Sequence, residues 1–406
     1  MNNKTVVVLI FRVFAVLFQL LYIKVYTHYL TLDELGYFFY LATLSYAINA
    51  LILVPSDFFQ QAKLIEYYDK VFPLGAILSL NVKIVLLSVV TGALFGIPVW
   101  LIGKITFFDL FLIIFLALFL YFCSSTRNYL NNRGNRVFSG AVLLVEAIFK
   151  VLVFIILLKC GFSNVSALIG GMIATYFFEF LVICVFFYVK IPLNFVEISA
   201  LNIKSLMKMG GAISFAAVCN WLQLQGYRIV YVWLGVSHIA GAYAAVSNIG
   251  IVGMAACSAV FSQIFLPKIY ASKGAYLYSY LKKALLLSVF VLFGYGVLGK
   301  YVLIVLTKKE FLAFSYIMLF GVITEAANLI IGAIMAYCTI NNKTGALAYA
   351  NIAGLIVAVV GVSCSVFFKP NNYILLGASL ALSQVVVCAF LYSMVNKTRF
   401  IEKHNG

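Results

Sequence analysis

Apolar residues occur along this chain in long runs, separated by short breaks rich in polar residues, Gly, Pro or Asn. A helix needs about 20 apolar residues to cross the hydrocarbon core of a bilayer. Twelve runs have roughly this length, near residues 5–30, 36–55, 73–96, 107–123, 138–158, 165–189, 209–234, 241–266, 284–306, 311–338, 346–368 and 373–395. The pattern therefore predicts an all-α integral membrane protein with about 12 transmembrane helices.

Composition supports this prediction, because 65% of the 406 residues are hydrophobic and only 10% are charged. Soluble domains carry about 25% charged residues. Twelve spans leave roughly 165 residues for tails and connections, so only short loops are expected outside the membrane. The first run contains Arg12 and Lys24 and has no small-residue cleavage site, so we interpret it as a retained helix rather than a signal peptide.

The net charge of +16 is distributed unevenly between the two faces that the spans define. With the N-terminus on one face, that face receives 17 of the Lys and Arg residues outside the spans, and the other face receives six. The first group includes Arg127, Lys268, Lys282 and Lys283. By the positive-inside rule both termini are cytoplasmic. The basic excess is thus explained by topology, and we expect no nucleic-acid partner.

An internal repeat is visible at a shift of about half the chain. The matched pairs are Gln19 with Gln223, Lys24 with Arg228, Leu30 with Leu234, Gly36 with Gly241, and 131–133 with 341–343. Six spans per half give both halves the same orientation, as in transporters that bind substrate between two parallel repeats. We therefore predict an N-terminal six-helix lobe at 1–205 and a C-terminal six-helix lobe at 206–406.

Four cations fall inside the predicted spans and are candidates for a substrate cavity: Arg12, Lys24, Lys83 and Arg228. An ionisable side chain in a span is usually functional or reaches back to the interface. Lys24 and Arg228 lie close enough to the outer helix ends for either role. Lys83 lies deepest, about ten residues into its span, and is the best single cation for a central cavity.

Carboxylates within the spans are candidates for ion pairs or for proton coupling. Glu146 and Lys150 have the i,i+4 spacing that favours a local ion pair. Glu179 and Glu325 lie near the middles of their spans, with Asn328 on the same face as Glu325. Burial raises the pKa of a carboxyl group, so either could exchange protons, or either could be hydrogen-bonded between helices.

The seventh span adds Asn220, Gln223 and Tyr227 along one face, beside Arg228. Such amides either hold helices together or line a polar lumen. The eight cysteines are scattered singly without a CxxC pair, and the three histidines are far apart. We therefore expect no metal site, no cofactor and no catalytic residues.

The first external turn contains an acidic pair, Asp33 and Glu34, followed by Gly36. The pair could be a catalytic site or the solvated end of a helical hairpin. Gly36 is matched by Gly241 in the second half of the chain, which favours a repeated architectural turn.

Arg12 and the passage Thr27–Phe38 resemble the first helix and turn of bacterial polysaccharide exporters. Leu234–Tyr243 is similar to the equivalent turn of that family's second half, and 266–268 resembles its next cytoplasmic loop. The resemblance is to the multidrug/oligosaccharidyl-lipid/polysaccharide (MOP) superfamily, most of all to its O-antigen flippase (Wzx) branch.

This resemblance implies a V-shaped pair of lobes, with no enzymatic activity, in the bacterial inner membrane. It also implies transport of undecaprenyl-diphosphate-linked oligosaccharide from the cytoplasmic to the periplasmic leaflet. The implied partners are this lipid-linked substrate, membrane lipids, the polysaccharide polymerase and the chain-length regulator. Arg12, Lys24, Lys83 and Arg228 are the positions that match the cavity cations of that family.

Two other readings of the sequence stay open. A membrane polymerase or glycosyltransferase would use Asp33 and Glu34, but such enzymes have a large external loop, and no external connection here exceeds about fifteen residues. A cation-coupled drug exporter of the MATE type would have the same lobes and would use the intramembrane carboxylates.

Overall fold

The computed structural model describes residues 3–64, 72–191, 193–195, 203–340 and 345–404. The Asn341-Asn342-Lys343 copy of the repeat lies outside these residues. Helices account for nearly all of the described chain, and they are α1 (Asn3–Tyr29), α2 (Leu32–Ile48), α3 (Val54–Leu64), α4 (Leu74–Leu101), α5 (Phe107–Asn132), α6 (Arg136–Lys159), α7 (Asn164–Lys190), α8 (Ile203–Trp233), α9 (Ser237–Ala271), α10 (Leu277–Leu306), α11 (Ile317–Ile340), α12 (Ala346–Phe368) and α13 (Tyr373–His404).

Three short elements lie between these helices, besides a π-helical turn at Asn49–Leu53. A 3₁₀ helix, Lys309–Phe314, separates α10 from α11. Strands β1 (Phe72–Pro73) and β2 (Leu193–Asn194) form a two-residue parallel pair that joins the start of α4 to the chain after α7.

Eleven helices of the described chain are long and apolar enough to cross a membrane. They coincide with eleven of the predicted spans, which confirms the all-α membrane fold. The twelfth predicted span, 209–234, lies on α8. This helix has 31 residues, about 46 Å at 1.5 Å per residue, but it is more polar because it carries Asn220, Gln223, Gln225 and Arg228.

The ends of the helices follow local sequence signals. Thr106 and Asp109 form a capping box at the start of α5, where each side chain accepts a hydrogen bond from the other residue's backbone N–H. Thr31 and Glu34 form the same arrangement before α2. After α5, Gly134 has a φ of 93°, which a residue with a side chain adopts at a cost.

Helices α2 and α3 form one continuous span, Leu32–Leu64, interrupted by a π-helical turn at Asn49–Leu53. The Val54 N–H donates to Asn49 O, five residues earlier. Pro55 follows at once, and its ring would clash with the carbonyl group four residues before it in a regular helix. The wider turn accommodates the proline, so the span runs nine residues beyond the predicted end at 55.

The chain contains two compact units, Met1–Tyr22 with Tyr37–Trp221, and Ile23–Gly36 with Leu222–Gly406. In the first unit α5, α6 and α7 pack side by side, and Phe149 stacks on Phe178 with ring centroids 4.7 Å apart. In the second unit Gly250 of α9 and Gly321 of α11 face each other, because a Cβ on either would collide with the backbone of the other helix. The predicted lobe boundary at 205/206 stays a prediction.

The N-termini of α2 and α9 cross symmetrically within the second unit. A Cβ on Gly36 would collide with Ser237 O, and one on Gly241 would collide with Leu32 O. Each carbonyl belongs to the residue four positions before the other glycine. The two glycines paired by the repeat are therefore also paired in space.

Candidate functional site

The first unit contains a buried network of four charged side chains. Lys150 Nζ donates to Glu146 Oε1 at 2.6 Å, the contact that the i,i+4 spacing predicts, and to Tyr176 OH at 2.9 Å. Arg127 Nη1 donates to Glu146 Oε2 and to Glu179 Oε1, the latter at 3.1 Å. Two cations thus balance two carboxylates.

Three neighbouring helices position these side chains. Arg127 lies in the last turns of α5, Glu146 and Lys150 lie one turn apart on α6, and Tyr176 and Glu179 lie three residues apart on α7. A turn before Arg127, Cys123 Sγ donates to the backbone oxygen of Tyr176 at 3.0 Å, which ties α5 to α7.

The two carboxylates are not equally well compensated by hydrogen bonds from the cations. Glu146 accepts hydrogen bonds from both cations, one on each oxygen. Glu179 is only 3% exposed, and its Oε2 has no hydrogen-bond partner among the described residues. Because a buried polar atom without a partner is costly, Glu179 is the less well compensated of the two.

Sequence reasoning placed Arg127 in the connection after the span 107–123, and this was wrong, because the structure places it within α5. The apolar run ends at Cys123, but α5 continues to Asn132, and the Arg127 side chain is only 17% exposed. Two carboxylates on neighbouring helices neutralise its charge, so the side chain stays largely buried between the helices. A signal was available, because no Gly or Pro interrupts the sequence between 107 and Gly134.

The second unit places Arg228 among tyrosines. The guanidinium carbon lies 5.5 Å from the centre of the Tyr227 ring, and Nε donates to the Tyr227 hydroxyl at 3.1 Å. Tyr26 and Tyr243 lie close enough for the Arg228 charge to act on their hydroxyl groups. Arg228 is 8% exposed, so it is buried rather than extended to an interface.

The residues of the polar face predicted on α8 differ in burial and in contacts. Gln223 is fully buried, donates to Ser383 Oγ at 3.0 Å and packs against Gly354 of α12. Tyr227 packs edge-to-face on Tyr243. Asn220 is half-buried and belongs to the first unit.

The contacts described for these two clusters do not include the remaining predicted site residues, Glu325, Arg12, Lys24 and Lys83. Glu325 is half-buried and accepts a hydrogen bond from Asn328 Nδ2 at 3.1 Å, as their shared face predicts. Arg12 is half-buried in the first unit. Lys24 and Lys83 are exposed, and neither forms an ion pair with a described residue.

The acidic pair of the first turn has a structural role. Glu34 closes the capping box of α2, and Asp33 Oδ1 accepts a hydrogen bond from Ser237 Oγ at 2.5 Å. His238 Nδ1 lies 3.7 Å from the same oxygen. The serine thus bonds to the carboxylate rather than to the histidine, and this is not the arrangement of an activated nucleophile.

An apolar cavity of about 570 Å³ lies between α4, α5 and α7 in the first unit. This volume falls within the range of small-molecule pockets, roughly 300–1,000 Å³. Its lining includes Leu78, Val82, Phe122, Phe180 and Phe187. Among the described residues, no group of three or more His, Cys, Asp or Glu side chains could hold a metal ion.

Comparison with known proteins relates the chain to transporters through its fold. No protein-family model matches the sequence, and no curated protein matches it either. The fold is similar to that of the lipid II flippase MurJ in an inward closed conformation, with a TM-score of 0.70 and 14% identity over 98% of this chain and 88% of that one.

Two other solved structures are similar over nearly their whole length. One is an inward-facing multidrug resistance MATE family transporter of the MOP superfamily, with a TM-score of 0.62 and 13% identity over 95% of each chain. Another is a MOP superfamily transporter from Pyrococcus furiosus, with a TM-score of 0.62 and 12% identity over 97% of this chain and 95% of that one. The protein is thus a multi-pass membrane protein with a MOP-type fold.

Proposed function

We propose that the protein is a flippase for undecaprenyl-diphosphate-linked polysaccharide repeat units, such as those of O-antigen. It would move them from the cytoplasmic to the periplasmic leaflet of the bacterial inner membrane by alternating access of two six-helix lobes. Both termini would be cytoplasmic, and the polysaccharide polymerase and chain-length regulator would act on the delivered units.

The charge balance inside the spans carries this proposal. Glu146 and Glu179 are neutralised by Arg127 and Lys150. The cations Arg12, Lys24, Lys83 and Arg228 lie outside this network, and Glu325 is the further carboxylate near a span centre. A net cationic interior offsets the charge of an anionic headgroup that leaves water, so a lipid diphosphate fits this chain better than a cationic drug.

Two further observations support a lipid-linked cargo. One of the structures with a similar fold is named as a lipid flippase. The apolar cavity between α4, α5 and α7 has room for part of a hydrocarbon chain, and its lining is almost entirely aliphatic and aromatic. We assign the diphosphate contact to the four cations and assign no catalytic role to any residue.

The test is deletion of the gene in a strain that makes a surface polysaccharide. We expect surface polysaccharide to disappear while single lipid-linked repeat units accumulate on the cytoplasmic leaflet, and a plasmid copy should restore export. A strain that instead carries one repeat unit on its lipopolysaccharide would identify a polymerase and refute the proposal.

A cation-coupled drug exporter is the second candidate, favoured by Glu325. This half-buried carboxylate bonds to an amide and to no cation among the described residues. Under this alternative, deletion would leave surface polysaccharide intact and would lower the resistance of the strain to cationic drugs. Glu325→Gln would then reproduce the loss of resistance.

A further inference from the structure

The connection between α9 and α10 carries a concentration of positive charge in the second unit. Four exposed lysines lie in it or in the adjoining turns of the two helices: Lys268, Lys273, Lys282 and Lys283. The sequence has no Asp or Glu between residues 198 and 309. The positive-inside rule assigns this end of the helices to the cytoplasm.

Two of these lysines share the same pair of aromatic rings. Lys268 Nζ lies 5.3 Å from the centre of the Phe265 ring and 5.7 Å from that of Tyr276. Lys283 Nζ lies 4.9 Å from the Phe265 centre and 5.4 Å from the Tyr276 centre. An ammonium over the face of a ring and within about 6 Å of its centre is attracted to the negative face of the ring. Phe265 can hold both lysines in this way, and Tyr276 can hold Lys268. Lys283 contacts Tyr276 at its hydroxyl edge instead.

This arrangement concentrates positive charge at one point of the surface. Because both ammonium groups lie close to the Phe265 centre, they are at most about 10 Å apart. Neither forms an ion pair with a described residue. No carboxylate among the described residues offsets their mutual repulsion, and an anion bound beside them would relieve it.

Tyr276 adds a hydroxyl group to the same place. Lys283 Nζ donates to its oxygen at 2.9 Å, and this hydrogen bond lowers the pKa of Tyr276 below its usual value. The Tyr276 backbone N–H donates to Ser272 Oγ at 2.9 Å, which fixes the loop that carries the ring. The ring pair is therefore supported by both helices and by the loop between them.

We propose that Lys268 and Lys283, together with Tyr276, bind a phosphate or diphosphate group at this end of the second unit. Lysine is a common phosphate-binding residue, acting as a point charge. Clusters of basic residues next to the cytoplasmic end of a membrane helix bind anionic lipid headgroups. Lys273 and Lys282 lie in the same segment but make no cation–π contact with a described ring, so they are assigned no specific role.

This site goes beyond the proposed transport function. Its position at the helix ends separates it from the span cations, and a phosphate group would bind there whether the cargo is a lipid-linked sugar or a drug. The ligand chemistry is shared by an inner-leaflet lipid and by a free phosphate compound.

The test uses the full-length protein purified in detergent and native mass spectrometry. Undecaprenyl diphosphate, phosphatidylglycerol and sodium pyrophosphate are titrated separately. The variant Lys268→Gln/Lys283→Gln is compared with Lys273→Gln/Lys282→Gln, which removes the same charge from the same segment. Lys268→Arg/Lys283→Arg retains charge and ring contact and should bind like the wild type.

We expect the first double variant to raise the Kd of a phosphate-bearing ligand about tenfold or more, because each lysine at a membrane surface contributes roughly a fivefold factor. The control pair should change the Kd less than threefold. A loss confined to the lipids identifies a lipid headgroup as the ligand, and a loss that includes pyrophosphate shows that the phosphate group suffices.

Equal weakening by both double variants would mean diffuse surface charge and would overturn the proposal, as would unchanged binding. If the double variant lowers the melting temperature, Lys268→Gln alone should raise the Kd three- to fivefold. The gene-deletion test under "Proposed function" identifies the transported cargo and does not depend on this binding site. Failure of the transport proposal is therefore distinguishable from failure of the phosphate-site proposal.

Discussion

Removal of Arg127 should destabilise the first unit strongly. In Arg127→Met the side chain keeps much of its apolar length, but the network loses one of its two cations. Lys150 still pairs with Glu146, but Glu179 loses its ion pair with Arg127, and one negative charge is left uncompensated on an almost fully buried side chain.

The magnitude follows from the geometry. At the 3.1 Å separation of Arg127 Nη1 and Glu179 Oε1, two unit charges attract by about 5 kcal/mol at an effective dielectric constant of 20. Removal of one partner of a buried pair costs about 3–5 kcal/mol, because the other charge remains buried. We therefore expect Arg127→Met to lower the free energy of unfolding by about 4 kcal/mol and the melting temperature by roughly 5 °C or more.

The assay is thermal unfolding of the detergent-purified protein, followed by intrinsic fluorescence. Lys190→Met is the matched control, since Lys190 is exposed in the last turn of α7, and its melting temperature should shift by less than about 1 °C. The double variant Arg127→Met/Glu179→Gln restores charge balance and should recover much of the loss. A melting temperature unchanged by Arg127→Met, or a double variant less stable than the single one, would refute the reasoning.

Three further predictions follow from individual positions. Gly241→Ala should lower the melting temperature, because its Cβ would collide with backbone atoms of α2. The control Gly294→Ala on α10 has no described atom near its Cβ position, so it should be neutral or stabilise the protein by up to about 1 kcal/mol. Equal shifts in melting temperature would contradict the close crossing of α2 and α9. Lys83→Ala should reduce surface polysaccharide more than Lys369→Ala, in the connection between α12 and α13, at matched expression, and equal amounts would remove Lys83 from the proposed cavity. Arg228→Lys should reduce export despite keeping the charge, since a lysine ammonium cannot reproduce the planar guanidinium that donates through Nε to the Tyr227 hydroxyl. Wild-type export would show that charge alone suffices there.

Much of the fold could be predicted because the bilayer constrains the length, the composition and the secondary structure of each span, and the first two can be seen in the sequence. Spans of about 20 apolar residues must be helical, since their backbone groups have no water to bond to. The runs were therefore visible without knowledge of contacts, as was the i,i+4 pair Glu146–Lys150, which needs only helical periodicity. The repeat of Gly36 and Gly241 was visible as a match at a shift of about half the chain and indicated a repeated turn, but the contact between the two glycines was not predicted.

Predicted span ends were wrong where contacts with other helices, or a local change of helix type, extended the helix beyond its apolar run. Arg127 follows an apolar run and has the appearance of a loop cation, and only the approach of α6 and α7 explains its burial. The π-helical turn before Pro55 likewise extended a span beyond its apolar run. A hydropathy scale assigns each residue a value that does not depend on its neighbours, whereas the free-energy cost of burying a charge depends on whether an opposite charge lies next to it.

The sequence by itself determined an all-helical membrane protein, the approximate position of its spans, the excess of cations over carboxylates and the residues that recur in both halves. These properties depend on composition and on local periodicity. Tertiary structure decided which charges neutralise each other, that Gly36 and Gly241 meet at a symmetric crossing, and that Lys268 and Lys283 both lie beside Phe265 and Tyr276. These depend on distances between different helices, which their packing fixes and no single helix encodes.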